Sequence, residues 1–161
     1  MHTVYFLLGA NLGDRAATLQ RALEAIQIDL GPVLLQSSLY ETAAWGVTEQ
    51  PAFLNQVLKV LSVFPAEEML EKTQAIENRL GRVRREKWGS RVIDIDLLYV
   101  DETVLNSEKL TVPHPFLHER RFTLVPLSEI APAFEHPVFH KTNRQLLAEC
   151  PDKSDVRKWV P

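Results

Sequence analysis

Residues 91–100 read RVIDIDLLYV, an apolar, β-prone run that carries two carboxylates, Asp94 and Asp96, with a single residue between them. Successive side chains of a strand point to opposite sides, so Asp94 and Asp96 share one face while Ile93, Ile95 and Leu97 share the other. Carboxylates side by side repel and weaken the strand unless a cation lies between them. An edge strand with a solvated acidic face is the plain alternative, because charged side chains commonly protect sheet edges.

Outward from this strand, helical and extended periods alternate. Thr3 to Leu8 is β-prone and is stopped by Gly9 and the turn-rich Asn11-Leu12-Gly13-Asp14. Leu19, Leu23, Ile26 and Leu30 recur at helical spacing, with Asp14 as N-cap and Gly31-Pro32 as the stop. Val33 to Tyr40 reads as a strand, and residues 41–47 as a long loop. From Phe53 to Phe64, Leu54, Leu58 and Val60 alternate against Phe53, Asn55, Val57, Lys59 and Leu61. Pro65 suits the first position of a helix whose stripe, Met69, Thr73, Ile76 and Leu80, closes at Gly81. Strand, helix, strand, strand, helix, strand is the split βαβ order, so the expectation is an α+β fold with a ferredoxin-like βαββαβ core. Glu102 to Val112 reads as an added C-terminal hairpin and Pro115 to Leu127 as a helix, in a loop-rich final third packed on the sheet.

The 161 residues suit a single compact domain, 1–161, long enough to bury a core without staples. Hydrophobic residues at 45% and charged ones at 24% are ordinary for a globular chain and argue against disorder. A net charge of −3 advertises neither nucleic acid nor an anionic membrane as partner. The one cysteine, Cys150, excludes an internal disulfide and points away from an oxidising compartment. The amino terminus lacks a basic n-region and reads as a first strand rather than a signal peptide, and no apolar run approaches the roughly 20 residues of a membrane span. A cytoplasmic location is expected.

The chemistry concentrates just before the carboxylate strand. Residues 82–91 hold Arg82, Arg84, Arg85, Lys87 and Arg91, a cationic loop leading into two carboxylates. Taken alone it is a solvated loop as readily as an anion site. Together the two halves suit a nucleoside triphosphate with Mg²⁺: carboxylate oxygens hold the hard cation, and guanidinium groups clamp phosphoryl oxygens. Leu70, Gln74 and Glu77 form a stripe beside the core stripe of the second helix, which an exposed helix face would explain equally. His114 lies between Pro113 and Pro115, a rigid setting for a fixed hydrogen-bond donor to phosphate, whereas His2, His118, His136 and His140 show no ligand-like pattern. Phe53, Asn55, Trp88 and Phe122 are candidates to hold a flat aromatic ligand, by stacking and by edge readout. No Walker A loop or protein-kinase signature occurs, and Gly9-Ala10-Asn11-Leu12-Gly13 matches no dinucleotide fingerprint.

Trp88-Gly89-Ser90-Arg91 followed by Asp94-Ile95-Asp96-Leu97 closely resembles the signature of the 6-hydroxymethyl-7,8-dihydropterin pyrophosphokinase family. The resemblance extends over nearly the whole chain, through Gly9 to Gly13, Ser37 to Thr42, Gln50 to Asn55, Glu77 to Arg84, Leu110 to His114 and Glu119 to Phe122. It implies transfer of pyrophosphate from ATP to the hydroxymethyl oxygen of the pterin, releasing AMP, in folate biosynthesis. It also implies two Mg²⁺ ions held by Asp94 and Asp96, with Arg82 and Arg91 completing the catalytic set on the phosphates and Arg84 in a mobile loop. The ATP positions it implies are Leu70, Gln74, Glu77, Arg84, Trp88, Leu97, Lys109, Thr111, His114 and Arg120. For the pterin it implies stacking between Phe53 and Phe122, with Asn55, Asp94 and the stretch Thr42, Ala43, Ala44 and Trp45 around its edge. Partners would then be these small molecules alone, with no nucleic acid or membrane, and the enzyme a monomer. Phe53 stands where tyrosine is common, Lys87 and Lys109 where arginine is, and Pro115 where some members carry an aromatic. A lysine keeps the charge and loses the bidentate fork. Two rivals remain from the residues alone: an RNA-binding module on a ferredoxin-like sheet, and a metal-dependent nuclease or nucleotidyltransferase using the same aspartates.

Overall fold

The computed structural model describes residues 1–42, 52–81 and 92–161. β1 (His2–Ala10) is buried without a break from Val4 to Ala10, the mark of a central strand covered on both faces. α1 (Arg15–Asp29) follows, with Asp14 capping it through a hydrogen bond from the Ala17 amide at 3.1 Å. Next come β2 (Val33–Gln36), β3 (Tyr40–Thr42), β4 (Phe53–Ser62), α2 (Ala66–Arg79) and β5 (Asp94–Val100). β6 (Leu105–Asn106) and β7 (Thr111–Val112) make a small separate hairpin, as expected of 102–112. A 3₁₀ turn (Leu117–Glu119), α3 (Arg121–Ile130), α4 (Asn143–Ala148) and β8 (Arg157–Lys158) complete the chain.

The main sheet runs β5-β1-β4-β3-β8, with β2 also on β4, and every pairing is antiparallel. Each face carries its own core. On one, Phe6, Leu8, Leu54, Leu58, Ile93, Ile95 and Leu97 meet Leu19 and Ile26 of α1 and Met69 and Ile76 of α2. On the other, Tyr5, Leu7, Val57, Leu98 and Tyr99 meet Leu124 and Leu127 of α3 and Leu146 of α4. Large side chains such as Phe6, Leu58 and Met69 are wholly enclosed, each contributing roughly 1.5–3 kcal/mol. Between β1 and β5 the register slips by one, from Tyr5 opposite Tyr99 to Phe6 opposite Leu97. The extra residue, Leu98, therefore shares its face with Tyr99, and the alternation that carries Asp94 and Asp96 is preserved only up to that bulge.

Four boundaries differ from the sequence reading. The run 33–40 is two strands, because Ser37 interrupts it: its hydroxyl accepts from the Val57 amide at 2.9 Å and donates to the Ser38 carbonyl. Glu41 and Thr42 belong to β3 instead of a loop, paired with Leu54 and Phe53. In place of one helix over 115–127, the chain turns at Leu117–Glu119 and starts α3 only at Arg121, whose amide donates to Asp152 Oδ2 at 3.0 Å. Pro65 is the N-cap of α2 rather than its first residue. Residues 43–47 of the expected loop lie outside the described residues.

Candidate active site

A cavity of about 480 Å³ opens between the sheet and the chain leading into α3. Asp94 and Asp96 of β5 line it from the sheet, beside Leu7 and Gly9 of β1, Phe53 and Asn55 of β4 and Thr42 of β3. Phe116, Glu119, Arg120 and Phe122 form the opposite wall. The two aspartates reach it because they point away from the α1 and α2 face, where Ile93, Ile95 and Leu97 are buried. Asn55 is 5% exposed and its amide nitrogen donates to the Leu8 carbonyl at 3.2 Å, which fixes its orientation. Gly9 makes room for it, since a Cβ there would stand 2.8 Å from that nitrogen. The Arg120 guanidinium lies 5.2 Å from the Phe116 ring centre and 5.6 Å from that of Phe122, a cation in reach of both ring faces.

His114 is half-buried beside this wall. Burial, with a smaller contribution from the Arg120 charge, lowers its pKa to about 4, so the ring is neutral at pH 7. The Phe116 amide donates to Nδ1 at 3.1 Å, which leaves the ring proton on Nε2. Glu77 is 6% exposed and belongs to no outer helix face: its Oε2 accepts the Ile95 amide at 2.8 Å, between the two aspartates on the strand. Outside the cavity lining, Glu129 of α3 accepts hydrogen bonds from Ser38 and, at 2.6 Å, from the Tyr40 hydroxyl, tying α3 to β3. Burial raises the Glu129 pKa, but those bonds and the Lys158 charge outweigh it and hold it below the usual carboxylate range.

Of the expected site residues, Thr42, Phe53, Asn55, Asp94, Asp96, Arg120 and Phe122 meet at this cavity. Leu97 is buried on the opposite sheet face, and Leu70 is half-buried against the same core. Gln74 and Lys109 are exposed, and the Thr111 hydroxyl donates to Asn106 Oδ1 at 3.3 Å. Arg82, Arg84, Trp88, Arg91, Ala43, Ala44 and Trp45 lie outside the described residues. Leu7, Gly9, Phe116 and Glu119 were not anticipated. Gly9 and Glu119 fall in stretches that carry the family resemblance but were given no site role, and Phe116 follows the Pro-His-Pro run without any period to mark it. Among the described residues no group of three or more His, Cys, Asp or Glu is gathered for a metal. Two carboxylates on one strand face at a cavity nevertheless suit Mg²⁺, which is commonly held by one or two carboxylates together with substrate phosphates.

Residues 5–132 match the family model of 7,8-dihydro-6-hydroxymethylpterin-pyrophosphokinase. The chain belongs to that family. It is 41% identical over 149 residues to the 2-amino-4-hydroxy-6-hydroxymethyldihydropteridine pyrophosphokinase of Aquifex aeolicus, covering 92% of either chain. With the protein of the same name from Methylorubrum extorquens it shares 44% over 159 residues, 98% of this chain and 99% of that one. The Plasmodium falciparum HPPK-DHPS wild-type structure shares the fold, with a TM-score of 0.75 at 17% identity over 92% of this chain. This chain spans 44% of that longer one.

Proposed function

We propose that the chain transfers pyrophosphate from ATP to the hydroxymethyl group of 6-hydroxymethyl-7,8-dihydropterin in folate synthesis, giving the pterin diphosphate, AMP and a proton. The observation that carries this reading beyond family membership is one cavity that joins a carboxylate pair to two aromatic rings and an oriented amide. Phe53 and Phe122, from opposite walls, take the flat pterin between them, and Asn55 reads its edge with the carbonyl oxygen left by the bond to Leu8. Asp94 and Asp96 would hold Mg²⁺. When bound, the metal supplies neutralisation of the triphosphate charge and alignment of its phosphorus with the attacking oxygen. Glu77 keeps the strand between those carboxylates in place, and Arg120, over the Phe116 and Phe122 rings, offers charge to the phosphates. The Nε2 proton of His114 is a donor at neutral pH without charging the ring. Arg82, Arg84 and Arg91 belong to the phosphate set in this reading, Ala43 to Trp45 to the pterin set, and Leu70, Gln74, Trp88, Leu97, Lys109 and Thr111 to the ATP set.

The same reading takes residues 1–161 as one pterin pyrophosphokinase domain acting as a cytoplasmic monomer, and its core as ferredoxin-like. Support for the last is the strand order, in which β2 and β3 together occupy the place of one strand beside β4, with β8 added outside β3. Two ions rather than one follow from the family resemblance and from the pairing of the aspartates. RNA binding loses its platform here, since α1 and α2 cover one sheet face and α3 and α4 the other around the cavity. The test is incubation with ATP, Mg²⁺ and the pterin, followed by chromatographic separation of AMP from ADP. AMP formed in step with pterin diphosphate supports the assignment. ADP, or AMP formed equally well without pterin, overturns it.

A further inference from the structure

We infer that Arg15 is a positioning residue for the pterin wall, gripping the end of the β3–β4 ladder from the face opposite the substrate. The inference rests on the pterin reading of the cavity. The last pair of that ladder is Thr42 opposite Phe53, and both residues line the cavity. The pair before it is Glu41 opposite Leu54. Leu54 is wholly buried in the core shared with α1, so Glu41, on the same face, projects toward α1 and away from the cavity. There it meets Arg15, the first residue of α1.

One guanidinium nitrogen does both jobs: Arg15 Nη1 donates to Glu41 Oε2 at 2.8 Å and to the Ala52 carbonyl at 2.8 Å. It thereby links the residue before Thr42 to the residue before Phe53. The side chains of Arg15 and Glu41 are 21% and 40% exposed, so the pair is partly sheltered from solvent screening. Arg15 has a firm base, because Asp14 caps α1 and Leu19, Ala22 and Ile26 bury it against the sheet. β3 needs such help: among the described residues β8 pairs with it only at Tyr40 and Glu41, and Thr42 pairs with Phe53 alone. The end of a three-residue strand frays unless something outside the ladder holds it. The spacing of Thr42 and Phe53 fixes where the heterocycle stacks, and small displacements there are costly to reaction geometry. Arg15 itself is not part of the cavity wall, so its action is through Glu41 and Ala52.

The experiment is steady-state AMP formation by the full chain with Arg15→Ala, Arg15→Lys, Glu41→Ala and the double variant Arg15→Ala with Glu41→Ala. Arg15→Ala should raise KM for the pterin about tenfold, the scale of one charge-assisted bond lost, while KM for ATP stays within about twofold. Arg15→Lys should fall between it and wild type, and the double variant should be no worse than Arg15→Ala. Thr142→Ala, which removes the capping box of α4, controls for lost stability and should leave the pterin KM unchanged while lowering the melting temperature. Should Arg15→Ala fail to fold, Glu41→Gln, which keeps an acceptor and loses the charge, reads the same KM split. Unchanged pterin KM, equal rises in both KM values, or multiplying effects in the double variant overturn the clamp. A wild type that makes no AMP with the pterin overturns the underlying reading, whereas an active wild type beside an unaltered Arg15→Ala overturns the clamp alone.

Discussion

Asp94 and Asp96 sit side by side on the cavity face of β5. Replacing Asp96 by Ala should lower turnover about a hundredfold or more while leaving the fold intact by far-ultraviolet dichroism. Activity within tenfold of wild type, measured at saturating ATP and pterin, would count against the carboxylate pair as the metal ligands. Histidine sets a different expectation. His114 and His136 both have pKa values lowered to about 4 from 6.5, His136 by burial and then by the nearby His118 and His140. His136 also accepts the Val138 and Phe139 amides on Nδ1, which suits the neutral ring. Between pH 6.5 and 4 the unfolded chain binds more protons at these rings than the folded one, so stability falls on acidification through that window. Urea unfolding at a series of pH values should show this slope, and His136→Asn should flatten it. An identical slope in that variant would place the acid sensitivity elsewhere.

At the scale of elements, β5 shows how a helix supports a strand from its open edge. Among the described residues β5 ends the sheet, with β1 as its one strand neighbour, and the Ile95 amide finds its partner in Glu77 of α2. Glu77→Gln keeps an oxygen for that bond and should retain most activity and stability. Glu77→Ala leaves the amide buried without it and should cost about 2 kcal/mol in unfolding free energy, with kcat reduced through the displaced aspartates. Equal loss in both variants would assign Glu77 a role that needs its charge, such as a direct contact with the nucleotide. The long strands were legible in sequence because each has two buried faces with distinct partners, as Leu54 and Leu58 against Val57 illustrate. β3 was not, because its pairing is set by Ser37, Glu129 and β8, and no local period reports those contacts.

For the whole molecule, the two cores share the strands of one sheet, so neither layer can separate without exposing the other. Thermal unfolding should therefore be one cooperative transition, followed equally by far-ultraviolet dichroism and by calorimetry, and a saturating ATP and Mg²⁺ mixture should raise its midpoint by mass action. Two resolved transitions would show that the α3 and α4 layer melts on its own.

By itself the sequence determined that Asp94 and Asp96 share a strand face, that strands and helices alternate up to Val100, and that the chain carries its family's motifs. Those properties are local, written in periods of two and of 3.6 and in the identity of short runs. Only the tertiary structure decided that the aspartate face meets Phe53, Asn55 and Phe122 in one cavity, that Glu77 turns inward to Ile95, and that Arg15 reaches Glu41 and Ala52. A period states which side of an element is apolar. It does not state which distant segment covers that side, and here the covering segments lie far along the chain, from α1 to the residues before α3.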